Sequence, residues 1–270
     1  MRAPGVYKDI NIDVYHSEEG ISSSGINLIL DCPKRYWHEY LSDEPKPGKD
    51  KCFQLGSALH MLALEPNRFH ENYYLMTEEV DLRTKAGKEA YARHEEEAEG
   101  KTIIRSKDAE LIQGMGLSVS SHRIWGTLGE EKNIEQSIYW DAGIYKTRLR
   151  ARPDFYTDSI IIDLKTTDSI PSFKKSIFQY GYHRQAAMQI DGLKACDGKT
   201  RMFGLFVVEK KAPYLTACFT LDEECIEKGR EEYLDAAAIY SECLKYNVWD
   251  GYKETFSLVK LPRWMEKEES

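Results

Sequence analysis

The stretch RPDFYTDSIIIDLKTT, residues 152–167, constrains the fold more than any other part of the chain. Ile160, Ile161 and Ile162 have the β-branched stiffness of a buried strand, yet they run into Asp163 and, two positions on, Lys165. Thr157-Asp158-Ser159 is a turn signal, so 149–156 and 159–165 read as two arms of an antiparallel hairpin. A tight turn centred on Asp158 and Ser159 sets Asp154 directly opposite Asp163. Residues so paired share a face, with Cβ atoms roughly 5 Å apart. Alternation adds Lys165 to that face and turns Ile160, Ile162 and Leu164 into the core.

Two carboxylates at that spacing repel one another and must share a proton, distort the sheet or hold a cation. Hard oxygen ligands suit magnesium, with manganese as a substitute. An ammonium beside them completes a site able to activate water and to stabilise charge on a phosphoryl oxygen. The plainer alternative is an Asp–Lys pair at a strand end facing solvent. Counting back by twos from Asp154 gives Arg152, Arg150, Arg148 and Lys146, a basic row that suits a polyanion along the sheet, or simply a solvated strand face. If the preceding hairpin turns at Ala142-Gly143, Glu135 falls opposite Arg150, as a third acid for the site or as a partner for arginine.

Elsewhere the chain reads as helices around this sheet. Two short helices are expected within 21–41, where Ser22 to Ser24 offer N-caps and Pro33 restarts the turn. Others are expected at 53–64, at 84–99, and from Ser106 to near Gly126. Three antiparallel strands cover 133–165, followed by helices at about 170–178 and 182–194, strands at 202–209 and 213–220, and a long helix at roughly 222–246. The six cysteines form no CxxC pair and have no histidine cluster beside them, which argues against zinc or iron–sulfur ligation. The N-terminus lacks an apolar signal core and no run is long enough to span a bilayer, so a cytoplasmic protein without a membrane partner is expected. The net charge of −8 argues mildly against nucleic acid, although a basic groove can sit within an acidic total. The expected class is α+β in one domain: a mainly helical part to about 130, a sheet-and-helix part over about 131–250, and a tail over 251–270.

The order Asp154, Asp163-x-Lys165 resembles the PD-(D/E)XK nuclease motif, with RPD and DLK as its halves. SSSGINLILDCPKRYWHEYL is similar to the helical motif that opens RecB-type nuclease domains, with CPxRY intact at Cys32 to Tyr36. GSALHMLALEP resembles their second motif, and YGYHRQAAMQ the tyrosine–glutamine motif that follows the lysine. With EQSIYW and the LPRW of residues 261–264, the likeness points to RecE-type recombination exonucleases within that superfamily and runs from Tyr15 to Trp264. The long region preceding the nuclease part of those enzymes has no counterpart in these 270 residues.

The resemblance implies a restriction-endonuclease-like core, a mixed central sheet flanked by helices, with a helical region before it. It implies that Asp154 and Asp163 bind the metal, that His60 is a further ligand or close neighbour, and that Lys165 orients the water or offsets phosphate charge. Gln185 would position the lysine or nucleophile with support from Tyr182, and Arg35 with Ser22, Ser23 and Ser24 would hold a terminal phosphate or the backbone. The activity implied is a magnesium-dependent 5′→3′ exonuclease on double-stranded DNA ends that leaves 3′ tails, assembled as a tetramer or trimer, with a RecT-type annealing protein as partner. The rivals are a single-strand exonuclease, a structure-specific endonuclease, and a non-catalytic nucleic-acid-binding module.

Overall fold

Ile160–Thr167 forms the strand around which the remaining layers are arranged. The computed structural model describes residues 2–44, 51–127, 133–252, 256 and 258–260; the LPRW segment lies outside the described residues, as do the side chains of 51–54. The N-terminal part runs β1 (Gly5–Tyr7), α1 (Ile12–Ser17), α2 (Ser23–Asp31), α3 (Pro33–Tyr36) and a π turn over Trp37–Leu41. It continues through α4 (Lys51–Leu64), α5 (Pro66–Asn72), β2 (Tyr73–Leu75), α6 (Lys85–Glu97), β3 (Thr102–Ile104), α7 (Ser106–Ser120) and α8 (Arg123–Thr127). The sheet part contains β4 (Asn133–Ile134), β5 (Ser137–Ala142), β6 (Thr147–Ala151), β7 (Phe155–Tyr156) and β8 (Ile160–Thr167). After it come α9 (Ile170–Gln179), α10 (Tyr182–Asp197), β9 (Met202–Glu209), β10 (Thr216–Thr220) and α11 (Glu223–Tyr246).

The main sheet has the order β10-β9-β8-β7-β4, with β8 and β9 parallel along their whole length and the other pairs antiparallel. A parallel pair needs a crossover, which α9 and α10 supply. Both faces are covered. Phe155, Ile162, Leu164, Phe206 and Val208 pack with the Leu59, Phe69, Ile112 and Met115 of α4, α5 and α7. Ile161, Phe203, Leu205 and Val207 face a second core built with α9, α10 and α11. The architecture is α+β with a mixed sheet, as expected.

The three long strands expected over 133–165 are instead divided between two sheets. The chain breaks at Arg152-Pro153-Asp154, where proline has no N–H for a ladder. As a result β6 joins β5 and β1 in a separate three-stranded sheet, and β7 joins β8. In the first hairpin Tyr139, not Glu135, faces Arg150, because the turn uses Gly143 to Lys146, with Gly143 (φ 70°) and Lys146 (φ 52°) left-handed, in place of a tighter turn at Ala142-Gly143. The expected helix from Ser106 to Gly126 also stops early. The Ser121 hydroxyl donates to the Leu117 carbonyl at 2.7 Å, and His122 Nδ1 receives the Ile124 N–H at 3.2 Å to start α8.

Candidate active site

Phe155 pairs with Ile162 and Tyr156 with Ile161, and one further step in this register brings Asp154 alongside Asp163. The two carboxylates are held differently. Asp154 Oδ2 accepts the backbone N–H of Leu164 at 2.6 Å, and its Oδ1 lies 3.4 Å from His60 Nδ1. Asp163 is only 1% exposed. Its Oδ1 accepts Gln185 Nε2 at 2.6 Å, and its Oδ2 lies 2.5 Å from Lys165 Nζ. The Lys165 ammonium also sits 4.8 Å from the ring centre of Tyr182, which stacks on Phe173.

Local geometry explains how these side chains meet. Asp163 and Lys165 are two apart on β8, so the pleat puts them on one face. Gln185 stands in the first turn of α10, which begins after Gly181 at φ 71°. The left-handed backbone there favours glycine, and a Cβ at Gly181 would come within 2.6 Å of the Arg184 and Asn27 side chains and displace them. His60 reaches in from α4, and its Nε2 lies 2.6 Å from the Leu164 carbonyl.

The environment separates the two acids. Burial pushes the Asp163 carboxyl up, with Lys165 opposing and the Asp154 charge adding to the rise. Burial also works against charge on Asp154, but His60, Lys165 and the Leu164 N–H together hold it below the usual carboxylate range. His60 is raised to about 9: burial lowers it, and the Asp154 carboxylate more than offsets that. Lys165 is likewise raised, because Asp163 and Asp154 outweigh its burial. The group therefore contains two acids pushed apart in acidity beside a lysine held in its charged form.

Magnesium is typically held by one or two protein carboxylates and keeps several waters. Among the described residues no three His, Cys, Asp or Glu side chains converge on a metal position, so Asp154 and Asp163 offer the two-carboxylate arrangement and no closed cage. The donor set fits such an ion in two further respects. Asp163 Oδ2 is buried and receives no aligned hydrogen bond despite the nearby ammonium. With its Nε2 on the Leu164 carbonyl, His60 turns Nδ1 towards Asp154, so it stands as a close neighbour that orients one of the two carboxylates.

The site opens into a cleft of about 460 Å³ that also takes in Ser22, Ser23, Ser24, Tyr182 and Glu135. Ser22 caps α2, accepting the Gly25 N–H at 3.3 Å. Glu135 sits at a kink (φ 44°), donates its N–H to the Asp154 carbonyl at 3.0 Å and lies 3.5 Å from Arg152; burial raises its carboxyl. Glu135 is thus both beside the acids and beside an arginine, but the arginine is Arg152 rather than Arg150.

The expected open basic row takes a different form. Arg150 is buried, and its guanidinium donates to the carbonyls of Tyr15, His16 and Glu18. Arg148 pairs with Asp141 and donates to the Arg2 carbonyl, and Arg152 donates to the Ile10 carbonyl at 3.0 Å. Of the row, Lys146 alone is exposed, in the turn. The three arginines therefore fasten the N-terminal segment to β6. Arg35 also stands apart from the carboxylates: it pairs with Asp31 at 2.5 Å and faces a neighbouring groove. Gln189, one turn beyond Gln185 and buried in the cleft wall, lies outside the expected set of site residues, and its i+4 spacing from Gln185 is the sequence signal that places it on the same helix face.

Residues 22–262 match the model of a family described as a PDDEXK-like domain of unknown function (DUF3799). A solved structure from Eubacterium rectale described as a "Putative exonuclease" superposes with a TM-score of 0.65 at 12% identity, over 94% of this chain and 96% of that one, which shows a shared fold. A phage related exonuclease from Haemophilus somnus (14% identity, 85% of this chain and 97% of that one) gives a TM-score of 0.36. An alkaline exonuclease from Laribacter hongkongensis (16% identity, 62% and 86%) gives 0.34. Neither of these two adds to the argument. No curated protein matches the chain.

Proposed function

This chain belongs to the family of PDDEXK-like domains (DUF3799), and on that premise we propose that it is a magnesium-dependent 5′→3′ exonuclease acting on double-stranded DNA ends and leaving 3′ single-stranded tails for recombination by annealing. The observation that carries the reading is the Asp154–Asp163 pair with Lys165 beside it, in an open cleft. The Eubacterium rectale structure with the same fold is described as a "Putative exonuclease", which is in keeping with the choice of exonuclease among nuclease activities.

A divalent ion held by the two carboxylates would supply an activated water and neutralise charge on the phosphoryl oxygens. The chain's own residues do the rest. His60 and Lys165, with the Leu164 N–H, keep Asp154 ionised, the Leu164 N–H fixes it in place, and Gln185 fixes Asp163. Lys165, held protonated by both acids, offers its charge to the phosphate as negative charge builds up in attack. Ser22 to Ser24, which line the same cleft, offer hydroxyl donors to the backbone of the bound strand. Such contacts read no bases, so ends rather than sequences set where digestion begins. A homo-oligomer, tetramer first and trimer next, and a RecT-type annealing protein belong to the same proposal.

The test is a blunt linear duplex labelled at either end, incubated with magnesium, manganese or a chelator, with closed circles as control. Metal-dependent release of the 5′ label first, with circles intact, is the expected result. Release from 3′ ends first overturns the polarity, loss of closed circles favours the endonuclease reading, and no hydrolysis with either metal overturns the assignment as a nuclease.

A further inference from the structure

Beside the catalytic cleft lies a second groove of about 880 Å³. One wall is the outer side of α2, α3 and the π turn, carrying Lys34, Arg35 and Tyr40; the other is the segment after α11, carrying Gly251 and Tyr252. That second wall is pinned. The Lys34 N–H donates to the Asp250 carbonyl at 3.1 Å, and Trp249 stacks on Tyr36 with ring centres 5.7 Å apart and planes 14° from parallel. Tyr252 is 64% exposed, with the Arg35 guanidinium 5.4 Å from its ring centre. The Arg35–Asp31 pair is about half exposed at each partner, so an incoming phosphate can compete for the guanidinium. Ser24 and Tyr40 line both this groove and the catalytic cleft, so the two adjoin there.

Exposed aromatic faces interleaved with cations are the recipe for a single nucleic-acid strand, whose bases stack and whose phosphates are neutralised without sequence reading. A duplex carries its second strand past the cleft that cuts the first, and Tyr40 stands on the ridge where the two depressions meet. We propose that this second groove is a track for single-stranded DNA and takes the strand that is not cut. Tyr252 and Tyr40 are its stacking platforms and Lys34 and Arg35 its phosphate contacts. The inference rests on the nuclease reading for the identity of the strand, but not for the affinity of the groove.

Two measurements on the full chain test it. In an Asp163→Asn background, binding of a labelled single-stranded oligonucleotide of about ten nucleotides is compared with and without Tyr252→Ala or Lys34→Ala. Each change is expected to weaken binding, Tyr252→Ala by about tenfold. With Asp163 restored, the initial rate on a duplex with a 3′ extension is compared with that on a blunt duplex, using hydrolysis of bis(p-nitrophenyl) phosphate to report on the cleft alone. The native chain is expected to start faster on the extended duplex, and Tyr252→Ala to remove that preference while the small ester is hydrolysed as before. Tyr252 is mostly exposed, so its loss leaves the core intact. Unchanged affinity in both variants, or a preserved preference, overturns the track. If the native chain hydrolyses neither DNA nor the ester yet Tyr252→Ala weakens single-strand binding, the groove stands and the nuclease reading falls.

Discussion

Asp154 and Asp163 are chemically identical, and their surroundings shift them in opposite directions: burial raises Asp163, while His60, Lys165 and the Leu164 N–H outweigh burial at Asp154. Gln185 is the neighbour most easily separated from the rest, because its amide donates to Asp163 and makes no other described hydrogen bond. Gln185→Met keeps the volume and removes the donor, so the already raised Asp163 carboxyl rises further and holds magnesium less well. Metal affinity should fall about 10–100-fold, seen as a shift in the magnesium dependence of the initial rate, with saturating metal restoring most of the activity. Asp163→Asn should not be restored at any magnesium concentration. Arg150 gives the contrasting case, a cation whose work is structural. Arg150→Met leaves three carbonyl acceptors near α1 without their donor and should cost about 3 kcal/mol, measured as a lower urea midpoint. An unchanged midpoint would return Arg150 to the list of DNA contacts.

At the scale of elements, α10 and α11 lie against each other at Gly229, where a Cβ would come within 2.3 Å of the His183 carbonyl oxygen. Backbone cannot give way as a flexible side chain can, so Gly229→Ala should destabilise the fold by about 1–3 kcal/mol, read as a lower melting temperature. The same contact carries a pH dependence. Burial disfavours charge on Glu232, but Arg184 at 2.6 Å and His183 at 3.0 Å outweigh it and hold its pKa below the ordinary glutamate value. A carboxylate lowered on folding stabilises the protein above its unfolded pKa, and that contribution is lost as pH falls through the folded value. Glu232→Gln should therefore lower the melting temperature at pH 7, and the gap should close on acidification below about pH 4. Sequence alone was a good guide to such elements where one period dominated. The helices around 170–197 and the strand at 202–209 follow from apolar spacing, and the Asp154–Asp163 pairing from alternation plus a turn signal. The register of the β5–β6 hairpin did not follow, because alternation fixes a face but not a partner, and the turn proved four residues long. The fate of the arginine row was hidden for a related reason. Its acceptors are mostly backbone carbonyls of residues 2–18, which no side-chain pattern announces.

At the scale of the whole molecule, an acidic chain must hold an acidic polymer, so contact depends on a few local cations. Digestion of duplex should slow steeply as salt rises, because each neutralised phosphate releases counterions, and hydrolysis of a small phosphodiester should respond far less. Enclosure by several copies would offset that weak grip, and light scattering after size exclusion should give a tetramer or trimer mass; a monomer at micromolar concentration would remove the ring. Leu164 ties the chemistry to the architecture in a further way. Its side chain belongs to the core under α4 and α7, while its amide holds Asp154 and its carbonyl holds His60. The two groups thus hang from one residue in the middle strand, so the irregular segment that carries Asp154 is itself tied to the sheet at that point. Heating should therefore yield no loosened but intact enzyme that has merely lost its catalytic geometry. Inactivation and the collapse of β-sheet circular dichroism should share one transition, and below it the activity should survive long incubation undiminished.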